Sequence, residues 1–142
     1  MIQYPILAID YGTKNIGLAI SDFKGIIATP LQVLRVKSGN GYEKIIEEIA
    51  DICDRNKVQT VLLGKPQVFE ISHKKTLKKI EKFEELLKKG VKLPIITYDE
   101  SYSTVTAQDM LTYTKQTVKS SKDKIDSVAA AVFLQEFLNS NR

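Results

Sequence analysis

The chain of 142 residues is 43% hydrophobic, which suffices for a core of one-domain size and removes any need for a disulfide framework or a structural metal. Its 21 Lys and Arg against 17 Asp and Glu leave a formal charge of +4, a mild pull toward polyanions. The opening MIQYPILAID has neither the basic start nor the apolar run of a signal peptide, and no stretch approaches the roughly 20 apolar residues of a membrane span, so a soluble, cytoplasmic single domain over 1–142 is expected.

Residues 3–10 and 16–22 are apolar runs joined by the turn-rich Tyr11-Gly12-Thr13-Lys14-Asn15, which predicts a β-hairpin with one side deeply buried. A third run, Ile26 to Val36, carries Pro30, the mark of an edge strand or a bulge, so three antiparallel strands come first. From Gly41 to Asn56 the period becomes helical, with Ile45, Ile46, Ile49 and Ile52 on one stripe. Cys53 follows that stripe and reads as a packing thiol, the single cysteine of a reducing compartment. Val58 to Gly64 is a buried strand.

Ser72 is the candidate N-cap of a second helix that ends near Gly90, with Leu77, Ile80, Phe83 and Leu87 as its apolar line. Between His73 and Lys92 there are eight lysines and three acids, Glu81, Glu84 and Glu85. Such a segment is either a solvated surface helix or a flank that attracts phosphate. Leu93 to Tyr98 is a further buried strand and runs into Asp99-Glu100. A helix from about Ser103 to Tyr113, a polar stretch from Thr114 to Lys122 read as a mobile loop, and a last helix from about Lys124 to Leu138 complete the chain. The order βββαβαβαα predicts an α/β sandwich on a mixed, mostly parallel sheet.

Three acids stand out by position. Asp10 ends the apolar Ile6-Leu7-Ala8-Ile9, where a carboxylate costs free energy unless a cation or hydrogen-bond donor meets it, although strand-end Asp also forms turns. Glu100 lies with Asp99 at the carboxyl end of a strand, where open α/β sheets place ligands; Asp99 itself reads as a turn-former. Asp126 leads the apolar row Ala130 and Phe133 of the last helix, or else pairs with Asp123 as an N-terminal cap. Converging in a dry pocket, these carboxylates would repel one another without cations, and their oxygen donors suit Mg²⁺ or Mn²⁺. His73, the only histidine, fits no zinc pattern and reads as a surface residue.

The runs Ala8-Ile9-Asp10-Tyr11-Gly12-Thr13-Lys14-Asn15-Ile16-Gly17-Leu18-Ala19, Ser21-Asp22, Ala28-Thr29-Pro30-Leu31, Val61-Leu62-Leu63-Gly64-Lys65-Pro66, Asp99-Glu100-Ser101-Tyr102-Ser103-Thr104 and Ile125-Asp126-Ser127-Val128-Ala129-Ala130 resemble the YqgF/RuvX family, in order and over nearly the whole chain. The resemblance implies a ribonuclease H-like three-layer sandwich, its five-stranded mixed sheet in the order 3-2-1-4-5. It also implies a hydrolase: a nuclease in 5′-end maturation of the small-subunit ribosomal RNA precursor, or a resolvase of branched DNA. Asp10, Glu100 and Asp126 then fall on the catalytic, metal-holding positions for Mg²⁺ or Mn²⁺, two ions being expected. Thr13, Lys14, Lys65, Ser103 and Thr104 fall on the substrate side, and Asp22 is an accessory acid or a hairpin end.

The chain departs from the family pattern at Asn15 and Ser101, where basic residues are usual, and at Gln67-Val68-Phe69-Glu70; Lys65, Lys74 and Lys75 offer point charges in their place. Two other classes fit parts of the pattern. A phosphate loop of the actin and sugar-kinase type shares Asp10-Tyr11-Gly12-Thr13, and a non-catalytic RNA-binding module of ribosome assembly would tolerate Asn15 and Ser101. The chain shows no aromatic stacking motif, so RNA and DNA both remain open, as do monomer and homodimer. Partners other than nucleic acid are the ribosomal small subunit but no membrane.

Overall fold

A computed structural model describes residues 2–12, 14–37, 41–65, 74–99 and 121–141, with backbone only for 74–77, 99 and 121–126. The described elements are β1 (Ile6–Asp10), β2 (Asn15–Ser21), β3 (Ala28–Arg35), α1 (Glu43–Arg55), β4 (Thr60–Lys65), α2 (Lys74–Gly90), β5 (Ile95–Asp99) and α3 (Ser121–Ser140). The strands form one sheet in the order β3-β2-β1-β4-β5, antiparallel from β1 through β2 to β3 and parallel from β1 through β4 to β5.

β1 is apolar without alternation because both of its faces are covered. Leu7 and Ile9 pack with Ile49 of α1 and Phe83 of α2, whereas Ile6 and Ala8 pack with Ala130 and Phe133 of α3. The expected stripe of α1 is the buried one, and Cys53 belongs to it. Burial, helped by the nearby Asp54 charge, pushes that thiol up to about 11, so it stays protonated and packs.

Pro30 satisfies both of its sequence readings. β3 is an edge strand, and the register passes from Leu18↔Gln32 to Ala19↔Pro30, leaving Leu31 as the extra residue of a bulge.

Two expectations are corrected. α3 starts at Ser121, so Asp123 is not its N-cap, Asp126 lies in the second turn, and Ser121 and Lys122 are helical instead of loop. A first turn without apolar residues leaves no periodicity to read. The expected Ser72 cap, the helix near 103–113 and the stretch 114–120 lie outside the described residues.

Gln135 fixes the lie of α3. Its Nε2 donates to the Ile26 carbonyl at 2.9 Å, and its Oε1 accepts from the Ala28 N–H at 2.9 Å, which anchors the helix at the start of β3. Tyr98 of β5 stacks on Phe133 at 5.6 Å and donates from its hydroxyl to Glu136 at 3.1 Å. Phe133 has no solvent exposure, so Phe133→Ala opens a cavity between α3 and the sheet. Urea unfolding of that variant is expected to show a loss of about 3–5 kcal/mol, a large part of the stability of a domain of this size.

Candidate active site

Asp10 is the last residue of β1 and is half-buried. Its register partners are Gly17 on β2 and Gly64 on β4, so the two positions beside it carry no side chain. Strand alternation puts Asp10 on the face of Ile6 and Ala8, the face that α3 covers. A carboxylate is thus held at the rim of the sheet by a rigid apolar strand, with lateral space for a ligand.

α3 leads toward the same rim. Gln135 is anchored beside Ile26 and Ala28, and Ala28 pairs with Ser21, whose Oγ accepts from the Ile6 N–H at 2.8 Å. That end of the helix is therefore level with the start of β1. Ala130 lies among Ala8 and Ala19, so the helix heads back along β1 toward its end. From Gln135 to Asp126 a helix rises ~14 Å, and from Ile6 to Asp10 a strand covers ~13 Å. The helical repeat brings the Asp126 backbone to the level of Asp10.

The remaining candidates divide. Asp99 closes β5 in register with Lys65, while Glu100, Thr13, Ser103 and Thr104 lie outside the described residues. Lys14 is exposed in the β1–β2 turn, where its carbonyl accepts from the Val36 N–H at 2.8 Å. Asn15, which stands where a basic residue was expected, is in register with Arg35 on β3.

Lys65 shares the rim but leaves the sheet on the other face, in step with Val61 and Leu63. There its ammonium is ion-paired with Glu84 of α2, which also takes Lys88 at 3.0 Å. Burial opposes ionisation of Glu84, and the hydrogen bonds from Lys65 and Lys88 overcome it, holding the carboxyl below its ordinary range. Sequence spacing could not disclose this engagement, because the face of a strand residue is decided by register.

Asp22 is not an accessory acid of this rim. It lies at the opposite edge, beside Ser21 and the start of β1, and its Oδ1 accepts from the N–H groups of Ile26 at 2.7 Å and Ile27 at 3.1 Å. The hairpin-end reading holds. These bonds to Ile26 and then Ile27 lower its carboxyl from the ordinary value.

Sequence reading missed an aromatic support under the rim. Tyr11 is buried directly after Asp10, its hydroxyl hydrogen-bonded to that of Tyr42, and the Phe83 ring lies 5.2 Å from Tyr11 and 5.3 Å from Tyr42. Burial, with the Tyr42 hydrogen bond, raises the Tyr11 phenol above its usual value, so it remains neutral. An aromatic immediately after a strand-end acid was the available signal.

Comparison with known proteins places the chain. Residues 4–140 match the model of the family described as "RuvX: Holliday junction resolvase". The chain belongs to the RuvX family. Proteins named "Putative pre-16S rRNA nuclease" from Fusobacterium nucleatum (36% identity, covering 94% of this chain and 95% of the relative) and Clostridium acetobutylicum (34%, covering 95% and 98%) are among its relatives. Among solved structures, Thermus thermophilus RuvC in complex with a Holliday junction superposes with a TM-score of 0.64 at 14% identity, over 96% of this chain and 94% of that one. Free Thermus thermophilus RuvC gives 0.63 at 12%, over 97% and 96%. These likenesses show the ribonuclease H-like fold with the expected strand order. Among the described residues, no helix is long and apolar enough to cross a membrane.

Because the Asp22 carboxyl is lowered in the folded state, its charge stabilises the protein above the unfolded carboxyl's pKa, about 3.9, and the benefit fades as pH falls through the lower folded value. Asp22→Asn is expected to melt below the parent at neutral pH, with the two curves converging as pH drops below about 4. A gap that persists undiminished well below about pH 4 contradicts the assignment.

Proposed function

We propose that this RuvX family member is a divalent-metal-dependent nuclease of the cytoplasm that hydrolyses a phosphodiester bond in the 5′-end maturation of the small-subunit ribosomal RNA precursor. The observation that carries the proposal is Asp10, held at the mouth of a strand buried on both faces and flanked in register by Gly17 and Gly64. The full-length relatives named for pre-16S rRNA support the substrate.

The donor set fits a hard cation. Asp10 offers carboxylate oxygen and the glycines leave lateral room; among the described residues no group of three acids, histidines or cysteines gathers, and Asp126 and Glu100 are the second and third donors of the proposal. When bound, Mg²⁺ or Mn²⁺ lowers the pKa of a water and stabilises charge on the leaving oxygen. Asp10, Glu100 and Asp126 would hold the ions. Thr13, Lys14, Ser103 and Thr104 would orient the phosphate backbone, and the β1 strand with its Tyr11 support keeps the Asp10 carboxylate in one position. Lys65, engaged by Glu84, contributes by fixing α2 against β4.

A second reading, resolution of branched DNA, is favoured by the description of the matching family as a Holliday junction resolvase. Cleavage assays with a ribosomal RNA precursor and with a four-way DNA junction, each in Mg²⁺, separate the two. Asp10→Asn and Glu100→Gln are each expected to lower cleavage of the RNA by at least about 100-fold, since even outer-shell substitutions at metal sites cost 10–100-fold. Circular dichroism checks that both variants fold. Undiminished cleavage in both variants refutes Asp10 and Glu100 as the metal-holding acids, absence of cleavage by the parent refutes the nuclease proposal, and cleavage of the junction alone selects the second reading.

A further inference from the structure

The two halves of α2 differ sharply in charge. From Lys74 to Lys82 there are five lysines and one acid, Glu81. Beyond Phe83 the charges cancel, with Glu84 taking Lys65 and Lys88 and Glu85 taking Lys89 at 3.2 Å. Lys78, Lys79 and Lys82 are exposed and form no ion pair among the described residues.

Elementary helix physics disfavours this arrangement. The first turn of α2 holds no acid, so the lysines face the positive end of the helix dipole. Lys78 and Lys82 stand at i,i+4 spacing, and like charges at that spacing repel. A locally unfavourable charge pattern of this kind is what an external anion would offset.

The fold decides which anion. Phe83 lies against Tyr11, the residue after Asp10, and Glu84 pairs with Lys65, the last residue of β4. Gly90 lies against Ile46, and the chain continues from there to the start of β5, so α2 runs antiparallel to β4. Everything before Phe83 therefore extends past the rim that carries Asp10. From Phe83 to Lys74 the helix rises ~14 Å beyond it.

We propose that this overhanging half of α2 is an arm that holds the phosphate backbone of an RNA substrate on its way to the Asp10 rim. The inference rests on the nuclease reading for its substrate. The chemistry is charge complementarity alone: ammonium groups in rows along a rod, matched to a regularly charged strand and indifferent to base sequence.

The test is the salt dependence of RNA binding, measured in EDTA so that hydrolysis plays no part. The probe is a fluorescently labelled RNA hairpin with a single-stranded 5′ extension, titrated with the full chain between 50 and 200 mM salt, about the range in which such slopes are read. The triple variant Lys78→Gln, Lys79→Gln, Lys82→Gln keeps good helix formers on the surface and is expected to melt no lower than the parent. Its log–log slope is expected to be shallower by about 2 to 3, at roughly 0.7–0.9 per lost phosphate contact. The corresponding triple arginine variant is expected to keep the parental slope. An unchanged slope in the glutamine variant overturns the proposal, as does failure of the parent to bind the hairpin at low salt. Absence of cleavage by the parent in Mg²⁺ would instead overturn the nuclease reading and leave the slope result standing.

Discussion

The burial of β1 on both faces is the constraint from which the rest follows. A strand with Leu7 and Ile9 in one core and Ile6 and Ala8 in the other has no freedom to slide, because a slip of one residue would exchange the two faces. Its register with β2 and β4 is thereby settled, and with it the position of Asp10 between two glycines. A carboxylate on a loop could relax toward water. At the end of this strand it stays at the rim, and the cost of partial desolvation is set against whatever ligand it meets.

The rim is stiffened from the α2 side. The rings of Tyr11, Tyr42 and Phe83 join the exit of β1, the start of α1 and the middle of α2, so three segments distant in sequence meet under the residue after Asp10. The Lys65, Glu84 and Lys88 group does the same for β4. Its hydrogen bonds outweigh burial, and Glu84 keeps its charge at pH values where an ordinary glutamate would begin to lose it. Neither group touches the α3 face. Their effect on the site is to remove motion from the strands that carry it.

Much of this was legible in the sequence, and what was not has a common cause. Periodicity disclosed the strands, the α1 stripe with Cys53, and Pro30 as an edge or bulge residue, because each is a local consequence of burial. The resemblance supplied the strand order. What local pattern could not settle were residues whose meaning depends on level or face. Asp10 ends β1 and Asp22 directly follows the end of β2, yet antiparallel pairing sends them to opposite edges. Lys65 and Asp10 end neighbouring parallel strands, yet alternation sends them to opposite faces. The first turn of α3 was lost for want of apolar residues, and Tyr42 gave no sign that it would close an aromatic group with Tyr11 and Phe83.

The distribution of positive charge explains how acids and lysines can share one end of the molecule. A lysine in contact with Asp10 would neutralise it and compete with any divalent ion for its oxygens. The candidate closest in the sheet, Lys65, is turned to the far face and held by Glu84. Along the axis of α2, Lys82, Lys79 and Lys78 stand roughly 2, 6 and 8 Å beyond Phe83, within about one screening length of the rim at physiological salt. At that distance their field still reaches the rim, so a polyanion drawn to them is drawn to the end of the molecule that carries Asp10.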